Sequence, residues 1–187
     1  MPRSPRQPLA PGYYHLTTHG IRDEPIFLDD LDRIGLLRLF GDAEDDEHFR
    51  LRAYALMTTH YHALVQTRSG QISSRMKRLN GLHALRFNRA HGYRGHVFGG
   101  RFSATEIKDE WHLYETVRYI AMNPVRAGLC CRPEDWPWGS FAVATGTAPA
   151  PPFFDATWKL RLFSKDDEDA RRQLARFVAY EPDYVRF

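Results

Sequence analysis

The chain has 187 residues, with 26 Lys and Arg against 23 Asp and Glu, a net charge of +3 and a pI of about 8.9. That length fits one compact domain, or a domain plus a tail, burying roughly 70% of its extended-chain surface. No apolar run approaches the ~20 residues of a membrane span, and the Pro-rich, Arg-containing start lacks the apolar core of a signal peptide. With the adjacent pair Cys130–Cys131 unsuited to an internal staple, the expected setting is a reducing cytoplasm, without a membrane partner.

Residues 1–12, with four prolines, read as a flexible N-terminal arm. Tyr13 to Thr18 alternates and is rich in β-formers, predicting a first strand closed by His19-Gly20. A helix is expected from an N-cap at Asp29 or Asp30 through Leu31, Ile34, Leu37 and Phe40, stopped by Gly41. Asp42 to Glu47 reads as an acidic loop. Phe49–Met57 and Tyr61–Thr67 are expected as an antiparallel pair, with His60 and His62 at the start of the second strand. Side chains two apart on a strand share a face, so these imidazoles can share a divalent cation. Ala63 and Val65 are read as continuing that face, with imperfect alternation.

Ile72, Met76, Leu79, His83 and Phe87 mark one face of a helix over 71–90, with His83 read as structural. Arg75, Lys77, Arg78, Arg86 and Arg89 carry that helix's positive charge. A Gly-rich loop over 92–101 follows, where Arg94 and Arg101 mix with Tyr93, His96 and Phe98. From His48 to Thr105 there is no Asp or Glu against ten basic residues, which points to a polyanionic partner. Phe98 to Ile107 is expected as a fourth strand. Trp111 to Asn123 is expected as a helix with a Leu113, Val117, Ile120 stripe, ended or bent at Pro124. Tyr119 falls roughly opposite that stripe, with Asn123 one turn on. Trp136-Pro137-Trp138 reads as a packing clasp, and Asp166–Tyr180 as a last helix. The division is an arm (1–12), a catalytic domain (13–145), and a Pro-rich linker with a helical tail (146–187).

The strand and helix order resembles a ferredoxin-like (RRM-like) α+β fold, an antiparallel sheet with helices packed on it. The motifs Tyr14-His15-Leu16-Thr17 with Gly20, Met57-Thr58-Thr59-His60-Tyr61-His62, Gly95-His96-Val97-Phe98 with Gly100-Arg101-Phe102, and Arg118-Tyr119-Ile120-Ala121-Met122-Asn123-Pro124-Val125-Arg126-Ala127-Gly128 resemble the one-tyrosine HUH transposases. Within these, the resemblance is to the REP-associated tyrosine transposases of bacteria, and it spans about residues 13–142. It implies His60, His62 and Asn123 as ligands of Mg²⁺ or Mn²⁺, and Tyr119 as nucleophile. Thr58-Thr59 departs from the family's Pro-Asn.

The implied reaction is metal-dependent cleavage and rejoining of single-stranded or hairpin DNA through a 5′-phosphotyrosine, by a nucleoid-associated monomer or homodimer. A tyrosine hydroxyl is a weak nucleophile until a cation and nearby arginines favour its phenolate. The alternative is a non-catalytic single-stranded nucleic-acid-binding module on the same frame. It would retain the basic block without needing His60, His62 and Tyr119 together.

Overall fold

The computed structural model describes residues 9–44 and 49–179. Residues 1–8 of the arm, 45–48 of the acidic loop and Tyr180 lie outside the described residues. Four strands, β1 (Gly12–His19), β2 (Arg50–Leu56), β3 (His60–Thr67) and β4 (Ser103–Glu106), form one antiparallel sheet in the order β2-β3-β1-β4. Helices α1 (Asp30–Ala43) and α2 (Ile72–His91) pack on one face. Helices α3 (Glu110–Arg126), α4 (Ser140–Thr145) and α5 (Asp167–Ala179) cover the other. This is the ferredoxin-like α+β arrangement that the sequence predicts.

Period-two alternation divides the sheet into two cores. Leu16 of β1 and Tyr61, Ala63 and Val65 of β3 face α1 and α2, where Leu36, Phe40, Met76 and Phe87 meet them. Leu64 joins Ala53 and Ala55 of β2 beneath Leu113, Val117 and Ile120 of α3. The face that carries His60 and His62 thus continues through Leu64, not through Ala63 and Val65 as expected.

Helix α1 opens on a capping box in which Asp29 and Asp32 each accept from the other's backbone N–H. It runs through Gly41 instead of stopping there, because Phe153 needs the space: a Cβ at Gly41 would lie 2.7 Å from its ring. The α2 face is the predicted one, with Ile72, Met76, Leu79, His83 and Phe87 all buried. His83 is structural, its Nε2 2.8 Å from the Ile26 carbonyl. The expected fourth strand shortens to Ser103–Glu106, and Phe98 makes only an isolated bridge to Gly20. Helix α3 continues past Pro124 to Arg126, since burial of Pro124 outweighs the hydrogen bond its ring forfeits. Trp136 and Trp138 clasp the end of β2, through Trp136 Nε1 to the Leu56 carbonyl and Leu56 N–H to the Trp138 carbonyl.

Candidate active site

Antiparallel register builds the site. Thr17 of β1 lies opposite His62, and His19 opposite His60. His15, Thr17, His19, His60 and His62 therefore share the α3 face of two central strands. His60 and His62 have ring centroids 5.0 Å apart at 89°. His19 stacks on His60 at 4.8 Å. His15 Nε2 lies 3.0 Å from His62 Nδ1, with Thr17 Oγ1 at 3.3 Å from the same nitrogen. Thr59 Oγ1 lies 3.1 Å from His60 Nδ1. Each imidazole of the pair thus has its Nδ1 engaged within the protein, which leaves Nε2 as the nitrogen that could take a cation. Thr59 is thus the side chain set against the His60 Nδ1.

Tyr119 of α3 completes the cluster. Its half-buried ring lies 5.5 Å from that of His62 and 5.6 Å from that of His15. The phenol is not turned away from the protein, as the helical wheel implied. It sits at the margin of the second core and looks onto the histidine face. Asn123 donates its Nδ2–H to the Tyr119 carbonyl at 2.6 Å and also hydrogen-bonds His62. With the amide nitrogen so committed, its oxygen is the atom left for the histidine side. The Arg126 guanidinium lies 5.6 Å from the centre of the Tyr119 ring. Sequence reasoning thus named His60, His62, Tyr119 and Asn123, and the structure brings all four together. It missed His15, His19 and Arg126 as site residues. The His15-x-Thr17-x-His19 alternation of polar groups in β1 was the available signal.

Burial favours the neutral form of His15, His60 and His62. Burial holds His62 down to about 2, helped by His15, His60 and His19 and opposed by its hydrogen bond to Asn123. Burial also holds His15 to about 4, with His112 adding to it. His60 is lowered by burial and by His19, against Asp23. Neutral imidazoles keep the lone pairs that a metal needs. Two such nitrogens and an amide oxygen fit a divalent cation with open positions. Among the described residues, the group of three His, Cys or carboxylate side chains with ligand atoms close together is instead Asp29, Asp32 and His91. Those carboxylates are already engaged: they cap α1, and His91 Nε2 lies 2.9 Å from Asp32.

The helix that carries Tyr119 is anchored on its far side. Arg118 Nη1 lies 3.0 Å from the buried Glu115 carboxylate. Arg118 Nε donates to the Phe177 carbonyl of α5 at 3.0 Å, and its guanidinium lies 3.9 Å from the Phe177 ring centre. The predicted DNA contacts lie elsewhere. Arg75, Lys77, Arg78, Arg86 and Arg89 are on α2, behind the sheet from Tyr119, and Arg94 and Arg101 are on the loop that follows. Arg75 and Arg86 also tie α2 to α1, donating to the Ala43 carbonyl at 2.6 Å and the Gly35 carbonyl at 3.4 Å. The loop rounds the end of β1, where Gly99 N–H donates to the His19 carbonyl at 3.1 Å.

No curated protein matches the sequence significantly. Among solved structures, the chain is similar to a REP-associated tyrosine transposase bound to a REP hairpin. The TM-score is 0.63 at 20% identity, over 84% of this chain and 91% of that one. A putative transposase from Deinococcus radiodurans R1 aligns at a TM-score of 0.44 and 19% identity, over 65% of this chain and 96% of that one. The family pattern described as "Transposase IS200 like" matches residues 10–123, more than half of the sequence, and the chain belongs to that transposase family.

Proposed function

We propose that this transposase cuts and rejoins single-stranded DNA at hairpin-forming repeats, with Tyr119 as nucleophile. The Tyr119 oxygen forms a bond to the scissile phosphorus while the bond from phosphorus to the 3′ oxygen breaks. The phenolic proton leaves and the departing 3′ oxygen gains one, giving a 5′-phosphotyrosine and a 3′-OH. A phosphodiester is exchanged for a phosphodiester, so a 3′-OH can reverse the step without ATP. The sequence has no Walker-type loop, in keeping with this.

His60, His62 and Asn123 would hold Mg²⁺ or Mn²⁺. Bound there, the ion supplies positive charge that offsets the phosphate's and favours the phenolate. His15 and Thr17 fix the orientation of the His62 ring, and Thr59 that of His60. Arg126 brings the positive charge beside the Tyr119 ring. Arg75, Lys77, Arg78, Arg86, Arg89, Arg94 and Arg101 would hold phosphates of the stem and its flank, making binding fall with salt. The hairpin in the REP-associated relative supports a stem as substrate. We read residues 13–145 as the part that supplies the reacting groups, braced by α5 through Arg118 and Phe177, and acting in the cytoplasm at the nucleoid.

The observation that carries this reading is the Tyr119 ring 5.5 Å from His62 within a single chain. In this reading one subunit supplies every proposed group, acting as a monomer or within a homodimer. Incubation with labelled hairpin oligonucleotides from the neighbouring genome tests it. Wild type should give a denaturant-resistant adduct, and Tyr119→Phe should give none while binding nearly as well. An adduct that survives the substitution would move the nucleophile to another residue. Tyr114 is a poor substitute, because its hydroxyl donates to the Leu162 carbonyl at 2.5 Å. Binding by wild type with no adduct would favour the non-catalytic alternative.

A further inference from the structure

The chain turns sharply as it leaves β1 beside the histidine face. Arg22 (φ 53°) and Asp23 (φ 59°) are, among the described residues, the two non-glycine residues in the left-handed region, and they are adjacent. Residues with a side chain rarely adopt that backbone, and it gathers at functional sites where neighbouring structure enforces it. Gly20 makes the turn possible, since a Cβ on it would collide with the Glu24 carbonyl oxygen. Both ends of the turn are tied to the entry of the strand that bears the histidine pair. Gly20 N–H donates to the Thr59 carbonyl at 2.7 Å, and Ile26 N–H to the Thr58 carbonyl at 3.0 Å. A third tie runs from Ile21 N–H to the Val97 carbonyl at 2.9 Å.

Asp23 lies between these ties, one residue from the Ile21–Glu24 hydrogen bond's midpoint, with its carboxylate exposed. Among the described residues, no donor hydrogen-bonds that carboxylate and no basic side chain forms a salt bridge with it. Its charge does reach His60: burial and His19 lower the pKa of that imidazole, and Asp23 opposes them. A negative charge is out of place on a face that must receive a phosphate, which it would repel. A cation held between the two turns that repulsion into attraction on both sides.

We propose that Asp23 is a positioning residue for the divalent cation, accepting hydrogen bonds from water in the ion's open positions beside His60. The inference rests on the cation assigned above to His60, His62 and Asn123. Asp23 does not form a close three-ligand group with His60 and His62, so its carboxylate acts through the ion's water and not as a direct ligand. Small divalent ions keep several waters, and the groups that hold those waters help to set affinity.

Titrating the metal-free protein with Mn²⁺ in the absence of DNA, and following the free-ion EPR signal, tests this. Asp23→Asn removes the charge and keeps a side chain that tolerates the left-handed region. It should weaken Mn²⁺ binding about tenfold or more, the scale for losing a group that orients a bound ion. Asp23→Gly should weaken it as much while raising the thermal midpoint of the metal-free protein by about 2–4 °C, because glycine relieves the turn. A residue that only supported the fold would lower affinity and midpoint together. Glu24→Gln, one residue on, should bind Mn²⁺ within about twofold of wild type, and an equal loss there would reduce Asp23 to general surface charge. Unchanged affinity in a folded Asp23→Asn would overturn the assignment while leaving the His60, His62 and Asn123 reading intact. Wild type that binds no Mn²⁺, or His62→Ala that binds it as tightly as wild type, would overturn both.

Discussion

The two faces of strand β3 differ more than any two separate regions of the molecule. Tyr61, Ala63 and Val65 are fully buried against α1 and α2, and Tyr61 spends its hydroxyl on Asn80. One residue away on the backbone, His60 and His62 face α3 among other imidazoles, a threonine and a phenol. The same hydrogen-bonded ladder supports both. Both faces bury apolar side chains, Leu64 beneath α3 included, but at its His60–His62 end the second face sets ring against ring. Stability and chemistry should therefore separate at that end of the strand.

The largest expected effects test that separation directly. His62→Ala should cut cleavage by about 10²-fold or more, with the thermal midpoint falling less than in Tyr61→Ala, as thermal melts and single-turnover assays would record. Tyr61→Ala should do the reverse, costing about 3–5 kcal/mol of stability while cleavage per folded molecule persists. If His62→Ala unfolds the protein, or Tyr61→Ala leaves its stability alone, the division between the faces is wrong. Excess EDTA should copy His62→Ala in activity and lower the thermal midpoint of the metal-loaded protein by the bound ion's share of its stability; cleavage undiminished by chelation would remove the cation from the site.

The smallest effect sharpens the comparison with a buried group outside the site. Lys159 is buried, donates to the Ser140 carbonyl at 2.6 Å, and is held down to about 7 by desolvation. The unfolded chain keeps this proton up to about its ordinary 10.5. Between pH 7 and 10.5 the unfolded state thus binds more protons, so stability is lowest below pH 7 and rises with pH. Denaturant titrations should show wild type gaining about 1–3 kcal/mol from pH 7 to 9.5. Lys159→Met should flatten that rise, and an unchanged slope would place the pH dependence elsewhere.

Features encoded in local periodicity were legible from the sequence, and those set by distant partners were not. The five buried residues of α2 could be read off one after another, His83 included, because a helix imposes its own spacing. Gly41 and Pro124 looked like stops because local propensity makes them so. Phe153, more than a hundred residues downstream, explains the first, and burial of Pro124 in the tertiary fold explains the second. The His pair was visible as two imidazoles on one strand. The imidazole that orients it, His15, depends on the β1–β3 register, which no local window contains. Tyr119 was recognised by its motif, yet the wheel misjudged its direction. A wheel assumes one buried side, whereas α3 is covered by the sheet on one side and by α5 on another.

The clasp of Arg118 on Phe177 bears on how this enzyme can be shortened. The family pattern ends at Asn123, but the support of Tyr119 extends to a helix fifty residues further along. A chain trimmed back to the recognisable motif would strand a charged pair beneath the turn that carries Tyr119, with water where a ring and a carbonyl had been. Inactivity of such a fragment would then report a loosened scaffold and say nothing about the chemistry.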